Sequence, residues 1–175
     1  MSIWDQLAAS APAQWVQLTP FVFALFESLH LVGVAFFFGS ILLLDLRLIG
    51  VGPALSVRLA ARHILPLTIA AFLLITATGG VLFISAADRY AASVSFQLKA
   101  LLMVLGGINL ALFHTGVWRR VETWGERPDT PALVKAFGMI SILVWIGAIV
   151  AGRWMGYEPR PLPSGAGLEV LEAWL

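Results

Sequence analysis

Four apolar stretches, each long enough to cross a bilayer, constrain this chain more than anything else in it. They run at about residues 21–44, 64–87, 96–117 and 136–157, and a helical span takes ~20 residues. Charges inside them are few: Glu27 in the first, none in the second, Lys99 in the third and Arg153 in the fourth. In lipid each span must satisfy its own backbone hydrogen bonds, which selects helices. A transmembrane barrel would show short segments of alternating polarity, and these runs do not alternate. The expected fold is all-α: an integral membrane four-helix bundle over residues 20–157, with short interfacial helices at both termini.

Composition agrees. Of the 175 residues, 59% are hydrophobic and 12% charged, where a soluble domain carries about a quarter charged. The net charge of +1 is spread along the chain, so nothing points to nucleic acid. The absence of Cys excludes disulfides, thiolate metal sites, iron–sulfur clusters, thioether-attached haem and Cys nucleophiles.

The flanks read as interfacial. Residues 1–19 contain no Lys or Arg, so they lack the positive region of a signal peptide. Ser2 can cap a short helix with Ile3, Trp4, Leu7 and Ala8 as its apolar stripe, and Trp15 suits the headgroup level. In residues 158–175, Pro159, Pro161 and Pro163 break structure, and Leu168 to Leu175 can form a small amphipathic helix. Orientation follows from loop charge. Arg47, Arg58 and Arg62 lie between the first two spans; Arg119, Arg120, Arg127 and Lys135 lie between the last two. The positive-inside rule places both segments in the cytoplasm and both termini in the periplasm of a bacterial inner membrane.

Ionisable groups within spans are costly and mark functional sites by default. Here they are Glu27, His30, Lys99, His114 and Arg153, with His63 at the start of the second span. Depth sorts them: Glu27, His30, Lys99 and Arg153 share the outer half, His63 and His114 the inner edge. Glu27 and His30 lie on one helix face, which Val34, Phe37 and Ile41 continue. Gly33 and Gly39 allow close approach. Such a face suits a flat apolar cofactor with a polar anchor. It equally suits a purely structural arrangement, with Glu27 paired to Lys99 or Arg153 and His30 hydrogen-bonded to a neighbour.

Scattered His without Cys argue against zinc and leave mononuclear copper a weak fit. Haem needs only one or two axial ligands from facing helices, and His30 is the axial candidate. His114 follows Lys99 by 15 residues, roughly 22 Å along a helix, too deep to share an iron with His30. Lys99 lies within reach of His30's depth. An inner pair of His63 and His114 is the candidate for a second haem. Asn109 should bond another helix or a buried water. Thr76 to Gly80 and Gly106-Gly107 read as packing faces, and Phe36 to Phe38 as lipid or helix packing. Pro66 is expected in the first turn of its helix, and Asp45 is expected to pair with Arg47 at headgroup level.

Glu27-Ser28-x-His30, Gly33, Gly39 and Asp45-Leu46-Arg47-Leu48, followed by Arg62, Pro66, Gly79, Phe96-x-x-Lys99, His114 and Gly152-Arg153, form a pattern. It resembles that of the HemJ-type protoporphyrinogen oxidases and the membrane domain of the CopD copper-resistance family. It is most similar to a related bacterial four-helix membrane family. The resemblance covers about residues 20–157 and implies haem b held by the first-helix His and third-helix Lys, here His30 and Lys99. Asp45 and the Gly152-Arg153-Trp154 segment depart from the HemJ pattern, so haem binding transfers better than the oxidase reaction.

Three functions follow as expectations. The first is an inner-membrane haem b protein in electron transfer, with Glu27 and Arg153 near the propionates and a quinone or membrane redox complex as partner. The second is a HemJ-like oxidoreductase acting on a porphyrinogen or quinol, with Glu27 as proton acceptor. The third is a non-catalytic accessory subunit of a larger assembly. A homo-oligomer is compatible with each.

Overall fold

The structure, a computed structural model, describes residues 2–158. The helix expected at Leu168 to Leu175 lies outside them. The described residues form helices joined by short loops, with no strand among them. Two short helices, α1 (Ile3–Ala8) and α2 (Ala11–Leu18), precede the long α3 (Val22–Ile49) and α4 (Val57–Ser85). After the short α5 (Ala87–Ala92) comes α6 (Val94–Leu112), which continues through a π-helical turn (Phe113–Val117) and a 3-10 turn into α7 (Val121–Trp124). The last long helix is α8 (Ala132–Trp154). Four of these segments are long and apolar enough to span a membrane, and large apolar side chains such as Leu73 and Leu143 stand more than 60% exposed on their outer surfaces. A helix that is apolar all round is a membrane span or a deep core element. With four of them in one bundle, this is a multi-pass membrane protein.

Local chemistry sets the helix ends. Ser2 and Asp5 form a reciprocal capping box on α1. Ser56 caps α4 through the Leu59 amide, and Ser93 caps α6 through the Phe96 amide. Gly50 closes α3 at φ 107°, a left-handed conformation open to glycine at little cost. The exposed Phe21 adopts φ 64° at the head of α3. The long helices start or end several residues beyond the apolar runs. Hydropathy marks what lipid can cover, while caps mark where hydrogen bonding stops. Pro66 therefore lies in the tenth position of α4, not its first turn, where its ring removes one helical hydrogen bond.

The order of packing decides where the site lies. Helix α4 packs on α3, α3 on α8 and α8 on α6, whereas α4 and α6 are not among the closely contacting pairs. The bundle is open along one seam. At the end of the bundle that carries α1, α2 and α5 (the upper end), Phe83, Tyr90 and Phe96 pack ring against ring and Trp4 meets Phe83 edge-on. At the other (lower) end, Arg47 ties the loops together. It is 3% exposed and donates to the carbonyls of Leu55 and Arg127, while Thr130 donates to Leu48 at 2.6 Å. Asp45 is 4% exposed, and no ion pair joins it to Arg47; the one ion pair among the described residues is Arg58 with Glu122. Two residues apart on a helix, Asp45 and Arg47 face opposite ways, so the expected pair does not form.

Candidate functional site

Two cavities lie along the open seam. The upper one, of about 320 Å³, has walls from all four long helices. Glu27 and His30 come from α3, Gly79 from α4, Lys99 from α6 and Arg153 from α8. The four ionisable residues that depth placed in one half of the membrane therefore line one cavity. The lower one, of about 310 Å³, includes Asp45, Asn109 and His114. Phe37, Met103 and Trp145 belong to both walls. The Phe37 and Trp145 rings meet edge-to-face at 4.6 Å and form the partition.

His30 is held in a defined way. Its Nδ1 lies 3.0 Å from Thr78 Oγ1. The Thr78 hydroxyl spends its own proton on the Leu74 carbonyl at 2.7 Å, so toward His30 it can only accept. Nδ1 must then carry the proton, which leaves the lone pair on Nε2. Gly79 makes the approach possible: a Cβ there would lie 2.9 Å from His30 Cε1. A ring nitrogen tethered by hydrogen bond while the other stays free is the usual arrangement of a ligating histidine.

Lys99 is half-buried and has no ion-pair or hydrogen-bond partner among the described residues. Its stem runs along Gly152, where a Cβ would lie 3.4 Å from Lys99 Cδ. Glu27 is exposed at the cavity mouth, and no ion pair joins it to Lys99 or Arg153. The Arg153 guanidinium lies 6.0 Å from the Tyr157 ring centroid, within cation–π reach. Burial pushes the Tyr90 phenol above its ordinary value, so it remains a neutral group on the upper wall. The upper cavity thus combines a free imidazole nitrogen, two cations and an apolar surround.

The inner histidines are not brought to one place. His63 is exposed, with Nδ1 on the Leu59 carbonyl at 2.9 Å, and it stands outside the lower cavity wall to which His114 belongs. Among the described residues no three His, Asp or Glu side chains cluster to hold a metal ion. Sequence reading singled out His30 and Lys99 but missed Thr78 and Gly152 as their supports and Trp145 as the partition. Those roles depend on helix register across pairs far apart in sequence. The Thr78-Gly79 dipeptide was the available signal, and it read only as a packing face.

No curated protein and no solved structure matches the chain. Residues 17–158, which include all four long helices and both cavities, match the DUF6644 family, described as a family of unknown function, and the chain belongs to it.

Proposed function

We propose that this is a haem b-binding electron-transfer protein of the bacterial inner membrane, with the upper cavity as its site. The observation that carries the reading is the His30 imidazole: Nδ1 anchored on Thr78, Nε2 left with its lone pair. The residues fit such a group. His30 would hold the iron through Nε2. Lys99, on a helix that does not pack directly against α3, is the candidate for a second hold. Arg153, with its charge at the upper end of the same wall, suits a propionate. Haem, when bound, would supply a one-electron couple whose potential follows from its axial ligands and surroundings. The protein's own contribution is to orient the imidazole, keep Lys99 unpaired and shield the site with the Phe37–Trp145 partition below and the aromatic stack above. The open seam lets a lipid-soluble group enter from the bilayer. The resemblance to HemJ-type proteins at His30 and Lys99 supports the same assignment. Under the positive-inside rule, the Arg-rich segments between the long helices support a cytoplasmic lower end and a periplasmic upper cavity.

A second reading is favoured by one feature. Glu27 stands exposed and unpaired at the cavity mouth, where a carboxylate can accept a proton. The same cavity would then oxidise a porphyrinogen or quinol-type substrate, its electrons leaving through the haem that His30 would hold and its proton through Glu27. The deciding experiment is a reduced-minus-oxidised spectrum with a pyridine haemochrome assay on detergent-purified protein expressed with ample haem supply. A b-type spectrum that disappears in His30→Ala supports the first reading, and added turnover that is lost in Glu27→Gln supports the second. Colourless wild-type protein refutes both.

A further inference from the structure

The lower cavity has a different chemical character, and neither reading of the upper site uses it. Six aromatic rings line it, from Phe37, Phe72, Phe113, Trp118, Phe137 and Trp145. No Lys or Arg stands in its wall, so it offers nothing to a phosphate or a carboxylate. Ser141 also belongs to this wall, and several of the polar groups here offer acceptors. Asn109 donates its amide to the Phe137 carbonyl at 3.2 Å, leaving its own carbonyl as an acceptor. Thr68 donates to Ser40 at 2.9 Å, and Ser40 in turn to the Phe37 carbonyl at 3.0 Å. His114 has Nδ1 on the Leu110 carbonyl at 3.1 Å. A carbonyl can only accept, so Nδ1 carries the proton and Nε2 the lone pair.

Asp45 is the group that needs a partner. It belongs to this wall, is 4% exposed, and its Oδ2 has no hydrogen-bond partner. An unmet buried carboxyl oxygen is costly. His114 sits in the π-helical turn of Phe113–Val117, a distortion frequent at functional sites.

The cavity opens on the α4–α6 seam, so its occupant arrives from lipid. The aromatic walls call for a flat apolar ring. The acceptors call for hydrogen-bond donors on that ring. The lack of cations excludes an acidic headgroup, and a cationic amine would have to be stripped of water inside the bilayer. We propose that the lower cavity binds the dihydroxy-aromatic headgroup of a membrane quinol, with Asp45 as the hydrogen-bond partner of a hydroxyl. A phenolic hydroxyl both gives and takes a hydrogen bond, so it completes Asp45 in either protonation state. The oxidised quinone has only acceptors and so has no proton to give to the unmet Asp45 oxygen.

The test is equilibrium dialysis of the detergent-solubilised full chain against duroquinol under argon. Saturable binding is expected, at least tenfold weaker in Asp45→Leu and at least tenfold weaker for the dimethyl ether of duroquinol. Gly107→Leu is the second variant. Gly107 lies in the cavity wall, and a Cβ there would meet no atom within 4 Å, so a leucine adds bulk at the wall without a Cβ clash, and binding should be lost. His30→Ala should bind duroquinol as wild type does, which separates this site from the upper one. No saturable binding, wild-type affinity in both Asp45→Leu and Gly107→Leu, or equal affinity for the ether overturns the proposal. So does loss of binding in His30→Ala, which would move the quinol to the upper cavity.

Discussion

Two neighbouring glycines on α4 provide a sharp test of how the upper cavity is built. At Gly79 a Cβ would meet His30 Cε1 at 2.9 Å; at Gly80 it would meet nothing within 4 Å. In both positions alanine gains about 1 kcal/mol of helix propensity over glycine. At Gly79 that gain is opposed by overpacking, typically ~1–3 kcal/mol. Swinging the imidazole away also forfeits its bond to Thr78, worth about 1 kcal/mol net. Gly79→Ala should therefore destabilise by about 1–3 kcal/mol, while Gly80→Ala is neutral or stabilising by up to ~1 kcal/mol. Thermal melts of the two detergent-solubilised variants, followed by circular dichroism, give the order directly. The cause is checked in a His30→Ala background. With the ring gone the clash is gone, and Gly79→Ala should lose most of its cost there, a coupling that a double-mutant cycle isolates. Equal melting of Gly79→Ala and Gly80→Ala, or an unchanged cost in the His30→Ala background, refutes the reasoning.

Other perturbations probe the remaining contacts. Thr78→Val keeps the shape of the side chain and removes the acceptor at 3.0 Å from His30; if His30 ligates haem, haem should pass to apomyoglobin ~10–100-fold more readily, the usual effect of losing a ligand's support. Asn109→Leu breaks the bond that joins α6 to α8 and should cost about 0.6–1.7 kcal/mol, read as a lower denaturation midpoint. Glu158 accepts from the Ser95 amide at 2.8 Å, and the Ser93 hydroxyl, then the Ser95 hydroxyl and amide, hold its carboxyl below the ordinary value of 4.5. A depressed folded-state pKa stabilises above the unfolded value and is lost as pH falls through the folded one. Wild type should thus melt above Glu158→Gln at neutral pH, and the two should converge as pH drops below 4.5; a constant gap refutes the assignment.

The four spans were legible because each is a long run of one chemistry, and periodicity and length alone identify such runs. The shared depth of Glu27, His30, Lys99 and Arg153 was legible too, since depth along a helix is arithmetic. What surrounds them was not. Thr78 is 48 residues from His30, and nothing local indicates which face of α4 meets which face of α3. Asp45 misled for a related reason. Two charges near the end of a span suggest a headgroup ion pair, but the helix continues to Ile49. That carries Asp45 into the bundle and turns Arg47 toward the loops.

The Gly-Gly pairs show how an open bundle is encoded. Sequence reading took Gly79-Gly80 and Gly106-Gly107 as packing faces, which explains only the first member of each pair. Gly79 receives the His30 ring and Gly106 the Trp145 ring, with a Cβ at Gly106 placed 3.0 Å from that indole. Gly80 and Gly107 face open space. A helix that only packed would place small residues where another helix approaches. Helices α4 and α6 instead place glycine where a ring crosses, and again one position on, where no neighbour approaches. Both helices flank the seam, and α4 and α6 do not close on each other. Filling the seam with larger side chains would close the bundle and improve burial at the expense of both cavities. The chain keeps its fourth helix–helix interface open where a bundle built for stability alone would close it.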